Sequence, residues 1–384
     1  MRARGYFAWS AVFLVGCGGD IDLGGEPPLH GLVPGEGTSR LALAEEHTCA
    51  LSDGIVRCWG LNRNGEVGDG TMMPRFSPTV VPGLEGVREI TCNGAFDLGA
   101  GTRGSHTCAR LDDGTVRCWG PNINGQGEQG TTVSRSLSPV HIEGLSNIAQ
   151  LAAGEWHTCA RRTDGAVLCW GDNGSGALGV GTPDRRDTPD FVPDLEGVVE
   201  LAAGAGFTCA RKEDGTVVCW GSNVAGQLGD GTTTDRPWPA PVIGLQRVVR
   251  ISAIWGGVCA LSDEGEIRCW GNNGIGQLFG PAAPQVVPTP THFGTQKPAS
   301  DVSAGFQRTC ALLVDESVQC LGYDQTPTPL ASVGASFVEV NAGGGEHGCA
   351  FTTDGALWCW GPNFAGQLGD GTTNEHSGPT QIHW

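Results

Sequence analysis

The sequence predicts an all-β fold, a seven-bladed propeller of four-stranded antiparallel blades. Three observations predict it. One cysteine-bearing phrase recurs seven times, and the recurrences lie about 50 residues apart. The composition, with 63 glycines, 23 prolines and three methionines in 384 residues, suits many short strands joined by tight turns, and no long stretch carries apolar residues at helical spacing.

The first residues read as an address. Arg2 and Arg4 precede the apolar run Tyr6 to Val15, about half the length needed to cross a bilayer. This is the pattern of a signal peptide over residues 1–16. It ends Leu14-Val15-Gly16-Cys17, which resembles the lipobox of bacterial lipoproteins, and that resemblance implies lipidation at Cys17. An ordinary secretory signal with an incidental cysteine is the alternative. Residues 17–39 hold little that could form a core and read as a flexible tether to the propeller over 40–384.

The repeated phrase is HTCALSDGIVRCWG at 47–60, with further copies at 106–120, 157–171, 207–221, 257–271, 308–322 and 347–361. Each copy reads as a hairpin whose turn sets the register. In the second, a three-residue loop Asp112-Asp113-Gly114 places Cys108 opposite Cys118; in the first, a two-residue Asp53-Gly54 turn places Cys49 opposite Cys58. Directly opposed strand residues lie at the separation a disulfide needs. The same count pairs Cys159 with Cys169, Cys209 with Cys219, Cys259 with Cys269, Cys310 with Cys320 and Cys349 with Cys359. Two thiols on one hairpin, without C-x-x-C or matching histidines, do not close a tetrahedral metal site. An export signal supplies the oxidising compartment disulfides require. Cys92 is left alone.

Two more strands per repeat come from segments such as Pro78 to Val81 and Val87 to Ile90, joined by Gly83-Leu84-Glu85-Gly86. The first repeat has only Arg40 to Ala44 before its hairpin, and the C-terminus carries an orphan Pro-led segment, Gly378 to Trp384. The expected closure is therefore a pairing of the C-terminal strand with the first blade.

Laid out this way, the repeat resembles that of the regulator of chromosome condensation family, whose blades end W-G-x-N-x-x-G-Q-L-G-x-G. Here that part stands at Trp220 to Gly231 and again at Trp360 to Gly371. The resemblance covers residues 40–384 and implies a seven-bladed propeller. The family includes nucleotide-exchange factors, ubiquitin-ligase modules and a secreted bacterial propeller that inhibits β-lactamase through one face. The paired cysteines, acidic charge and export signal depart from the nuclear members, so the resemblance implies an extracytoplasmic binding module and not chromatin binding. Fold alone does not give function.

Formal charge is −18, and the two lysines, Lys212 and Lys297, accompany dispersed arginines. Such a surface argues against a nucleic-acid partner. No catalytic residue stands out. His47, His106, His157 and His347 share one repeat position that Phe207, Gly257 and Arg308 also fill, which points to a structural role. The Gly-Asp-Gly-Thr segments lack the carboxylates of a calcium loop and the Lys of a phosphate loop, so no metal and no cofactor is expected. The loops before each hairpin should ring one face, and there Glu155, Trp156, Trp255, Phe306 and Gln307 are the candidate binding residues. Packing of these aromatics on neighbouring loops is the competing expectation. The insertion over 92–103 and the Pro-rich stretch Phe279 to Ser300, before a sixth repeat in which Leu321 replaces Trp, are irregular loops of the kind that carry function. The leading expectation is a monomeric, lipid-anchored propeller of the bacterial cell envelope that binds an unknown protein partner and is not an enzyme. A propeller enzyme acting on polysaccharide or a small metabolite, and a purely structural envelope module, are the alternatives.

Overall fold

The structure, a computed structural model, describes residues 39–93, 105–126, 134–322, 328–329 and 334–383. Cys17 and the expected signal segment lie outside them, as do residues 94–103 of the insertion. Seven four-stranded antiparallel sheets follow one another along the chain, each a run of four consecutive strands. Blade one begins at Leu41–Leu43 and ends with Arg75–Val80; blade four, the most regular, has inner strand Val198–Ala203, then Phe207–Lys212, Val217–Gly221 and outer strand Arg236–Pro241. In blade six the outer strand shrinks to Thr328–Pro329.

The hairpin register is the one the turns dictate. Cys49 opposes Cys58, Cys209 opposes Cys219, and all seven expected bridges are present, with Cα atoms 4.0 to 4.1 Å apart. Between third and outer strands the register shifts by a bulge at the tryptophan, as between Cys219 and Gly221. The residues bulged out of the outer strand include Pro239, where no ladder N–H is required, and Gly221 follows the tryptophan with φ 103°, which a side chain would strain.

The expected closure of the ring is corrected by the strand pairing. The C-terminal strand His376–Ile382 pairs with Leu357–Gly361 inside blade seven, and Arg75–Val80 already completes blade one. Each Pro-led segment therefore belongs to the hairpin before it, not after it. The physical reason is proximity: a compact loop after each Trp-Gly returns the chain to the strand it has just left, so the pairing closes a short loop.

Side chains close the ring. The indole of Trp220 donates to the carbonyl of Ala177 in the preceding blade at 2.8 Å, and the Thr208 hydroxyl donates to the same oxygen at 2.9 Å. Between blades seven and one, Trp59 and Thr48 both donate to Gln367 O, at 2.9 and 2.8 Å. The joint joining the two ends is thus the same joint found inside the chain. The histidines complete it: Nε2 of His47, His106, His157 and His347 meets Thr107, Thr158, Thr208 and Thr48 of the following blade at 2.7 to 3.0 Å. Because Thr208 and Thr48 spend their hydroxyl hydrogens on carbonyls, His157 and His347 must donate from Nε2, which fixes a neutral tautomer. Burial agrees, lowering His157 and His47 to about 4 and His106 and His347 to about 3.

Candidate functional site

The register assigns every loop to one of two faces. His157 opposes Gly171, so the inner-to-second loops and the third-to-outer loops share one face, here the loop face. The Asp-Gly hairpin turns and the interblade links share the other. On the loop face, backbone bonds tie successive inner loops together: Glu155 N to Gly204 O, Ala205 N to Trp255 O, Phe306 N to Gly343 O and Gly344 N to Leu43 O. The third-to-outer loop is built by a buried asparagine. In blade four Asn223 accepts from Leu228 N at 2.9 Å and donates to Thr232 O and Thr234 O, both at 3.1 Å, while Asp230 holds Thr232 N and Arg236. The Gly-Asp-Gly-Thr segments are thus turns locked by their own aspartate. At the loop tip the residue after the asparagine is Arg63, Ile123, Gly174, Val224, Gly274 or Phe364, and Val224 is 71% and Phe364 62% exposed.

The channel along the axis is lined by the inner strands of all seven blades and encloses about 170 Å³. Near the hairpin-turn face one register position carries Arg40, Glu89, Gln150, Glu200, Arg250, Asp301 and Glu339 in blade order. Arg40 meets Glu339 at 2.9 Å, closing blade one on blade seven, and Arg250 bridges Glu200 at 3.3 Å and Asp301 at 3.1 Å. Arg110 and Arg211, from second strands, meet Glu89 at 3.0 Å and Glu200 at 2.8 Å. Leu151, Ile251 and Leu41 donate their backbone N–H to Glu89, Glu200 and Glu339 of the preceding blade. Burial pushes Glu89 up to about 7 and raises Glu200 and Glu339, against the pull of their arginines. Toward the loop face, Asn93 donates to Ala153 O and to Ala203 O two blades away, narrowing the channel. No group of three metal-ligating side chains occurs among the described residues.

With this geometry in view, the sequence profile described as the regulator of chromosome condensation (RCC1) repeat matches residues 113–161, 164–211, 214–261 and 354–384, and a second profile of that description matches 148–177, 198–227 and 337–367. The chain belongs to the regulator of chromosome condensation repeat family. Over 148 residues it is 35% identical to the ultraviolet-B receptor UVR8 of Arabidopsis thaliana, covering 37% of this chain and 31% of that protein. Over 147 residues it is 36% identical to the probable E3 ubiquitin-protein ligase HERC6 of Homo sapiens, covering 36% of this chain and 14% of the ligase. These matches span a third or less of either relative. Among solved structures, human WBSCR16 superposes with a TM-score of 0.75 at 19% identity, covering 86% of this chain and 95% of that one. Yeast RCC1 (Prp20), solved bound to Kap60, superposes at 0.73 with 22% identity, covering 91% and 85%.

Within this family's repeat the structure sorts the candidate residues. Phe306 is 8% exposed, and its ring lies 5.0 Å from that of Trp255 in an edge-to-face contact, so these two aromatics pack on each other. Gln307 donates to Glu346 of the next blade. Trp156 remains half-buried beside Glu155, whose carboxyl burial, with Asp172 nearby, raises to about 7. The candidates therefore divide into a packed pair in blades five and six and a half-buried Glu155-Trp156 pair in blade three. Ile123 and Val224 escaped the sequence reading. Their signal was nevertheless in the repeat: a loop that closes equally with Arg63 or Gly174 at its tip does not require Ile or Val there. Cys92, free of any bridge, stands in the channel wall, and burial raises its thiol above the ordinary range.

Proposed function

We propose that this chain is an extracytoplasmic, Cys17-anchored binding propeller that is not an enzyme, and that it takes a protein partner on the loop face over blades two to four, around Ile123, Glu155, Trp156 and Val224. One observation carries the reading: apolar side chains at loop tips, 42% exposed at Ile123 and 71% at Val224, where equivalent loops fold with Arg or Gly. Large apolar and aromatic groups that the scaffold does not need are the usual anchors of a protein interface. Related propellers lend support, since Prp20 has been solved with Kap60 and its binding to Gsp1p and histones described. Seven disulfides favour an oxidising compartment. No helix among the described residues is long and apolar enough to cross a membrane. A channel of about 170 Å³ is below the roughly 300 Å³ at which small-molecule sites begin, which weighs against turnover there.

The test is chemical crosslinking on intact cells, followed by binding measurements with the purified partner. The triple variant Ile123→Ser/Trp156→Ala/Val224→Ser should bind at least about 30-fold more weakly while keeping its thermal unfolding profile. A partner bound equally by the variant would refute the assignment of this face.

A further inference from the structure

Second-strand arginines occupy one register position in three successive blades: Arg110 opposite Glu89, Arg161 opposite Gln150 and Arg211 opposite Glu200. Two of them are paired by their own blade's glutamate, at 3.0 and 2.8 Å. Blade three departs by a single exchange, glutamine for glutamate. The Gln150 amide is already spent at both ends, accepting from Leu201 N at 2.9 Å and donating to Leu201 O at 3.1 Å. Arg161 consequently has no carboxylate within ion-pair distance among the described residues. Its Nε is buried without an acceptor, and one terminal nitrogen makes a long contact of 3.4 Å with Arg162 O.

Neighbouring acids do not make up the deficit. Glu89 serves Arg110 and Leu151 N, while Glu200 serves Arg211, Arg250 and Ile251 N. Burial is the largest effect and disfavours the Arg161 cation; Glu89 and Glu200, beyond ion-pair distance, offset part of this, and the like charges of Arg110 and Arg211 add a smaller penalty. Along this run stand four guanidinium groups (Arg110, Arg161, Arg211, Arg250) against three carboxylates (Glu89, Glu200, Asp301), a local excess of one positive charge in a chain of charge −18. Arg161 as a whole is half-buried, with Nε at the buried end of its fork.

We propose that Arg161 receives a free carboxylate from solution at the hairpin-turn end of the channel, supplying the negative charge that Gln150 withholds from blade three. The planar guanidinium fork matches a carboxylate in two parallel hydrogen bonds, better than a spherical halide. The carboxylate belongs to a small organic acid or to an acidic side chain of a peptide. This site lies on the face opposite the proposed partner surface and stands independently of it.

Thermal unfolding of the full oxidised chain at neutral pH tests this, titrating acetate, or a capped Gly-Glu-Gly peptide, against chloride at constant ionic strength. The wild type should gain stability with saturation, and the tighter of the two probes identifies the source of the carboxylate. Gln150→Glu rebuilds the pairing of blades two and four; it should unfold at a higher temperature without ligand and require at least about tenfold more carboxylate for the same shift. Arg161→Gln should lose the response. A wild type that responds no better to carboxylate than to chloride, or a Gln150→Glu variant that responds as the wild type does, would overturn the proposal.

Discussion

The joint between blades three and four and the joint between blades four and five make the same contact with opposite chemistry. At the first, His157 Nε2 meets Thr208 Oγ1 at 2.9 Å. At the second, the same two positions are Phe207 and Val258, both fully buried in one apolar cluster. A polar pair has been exchanged for an apolar pair across a blade boundary, so the joint demands complementarity and not histidine. A second exchange accompanies it. A side chain on Gly154 or Gly204 would collide with the ring three residues on, His157 or Phe207; where Gly257 supplies no ring, the equivalent of Gly154 is the buried Ile254. Burying a polar group is tolerable only when its partner is buried with it, and the repeat satisfies this joint by joint.

What both joints share is the indole, and its loss gives the largest expected effect. Trp220 and Trp270 are fully buried and donate to Ala177 O and Gln227 O of the preceding blades at 2.8 and 3.0 Å. Trp220→Ala should cost about 3–5 kcal/mol by urea unfolding. The equivalent position in blade six is the half-buried Leu321, and Leu321→Ala should cost no more than about 1 kcal/mol, since less surface leaves contact. Equal losses at the two positions would break the view that the tryptophan latches one blade to the next.

This division explains what could be read in the chain before its structure. Hairpin register was legible because turn length fixes it locally, and each cysteine pair reports the same count twice. The assignment of Pro-led strands was not legible in the same way. Arg75–Val80 lies between two hairpins in sequence and contains nothing that says which one it joins; the compact loop held by Asn62, whose side chain binds Val67 N, Thr71 O and Met73 O, decides it. Aromatics at Trp156, Trp255 and Phe306 looked alike as a list of rim residues. Only their neighbours distinguish them, Phe306 being the edge-to-face partner of Trp255 one blade away. The Glu89-Gln150-Glu200 series was visible in the sequence, but its consequence for Arg161 depends on which strand faces which.

The exchange at the two joints can be transplanted. Thr208→Val leaves the His157 Nε2–H buried without an acceptor and should cost about 1–3 kcal/mol. His157→Phe alone places a ring against the Thr208 hydroxyl, which keeps its bond to Ala177 O, so its cost should be smaller. The double variant copies the neighbouring joint and should recover much of the loss, giving a coupling energy of about 1 kcal/mol or more in a double-mutant cycle. Additive effects would mean that Phe207 and Val258 tolerate each other by accident of their own surroundings.

The smallest effect is a difference in slope, and it isolates the charge state of one histidine. Burial holds His157 at about 4, below the ordinary 6.5. Between these values the unfolded chain binds a proton that the folded chain refuses, so this contribution to stability is complete above pH 6.5 and is lost as pH falls toward 4. Carboxylates titrate over the same range, but their contribution cancels when the wild type is compared with His157→Phe/Thr208→Val. The variant, having one refused proton fewer, should lose stability on acidification less steeply, by at most about 1.4 kcal/mol per pH unit. Parallel curves between pH 6.5 and 4 would show that His157 gains its proton without leaving the fold, and the polar joint would then differ from its apolar neighbour in shape alone.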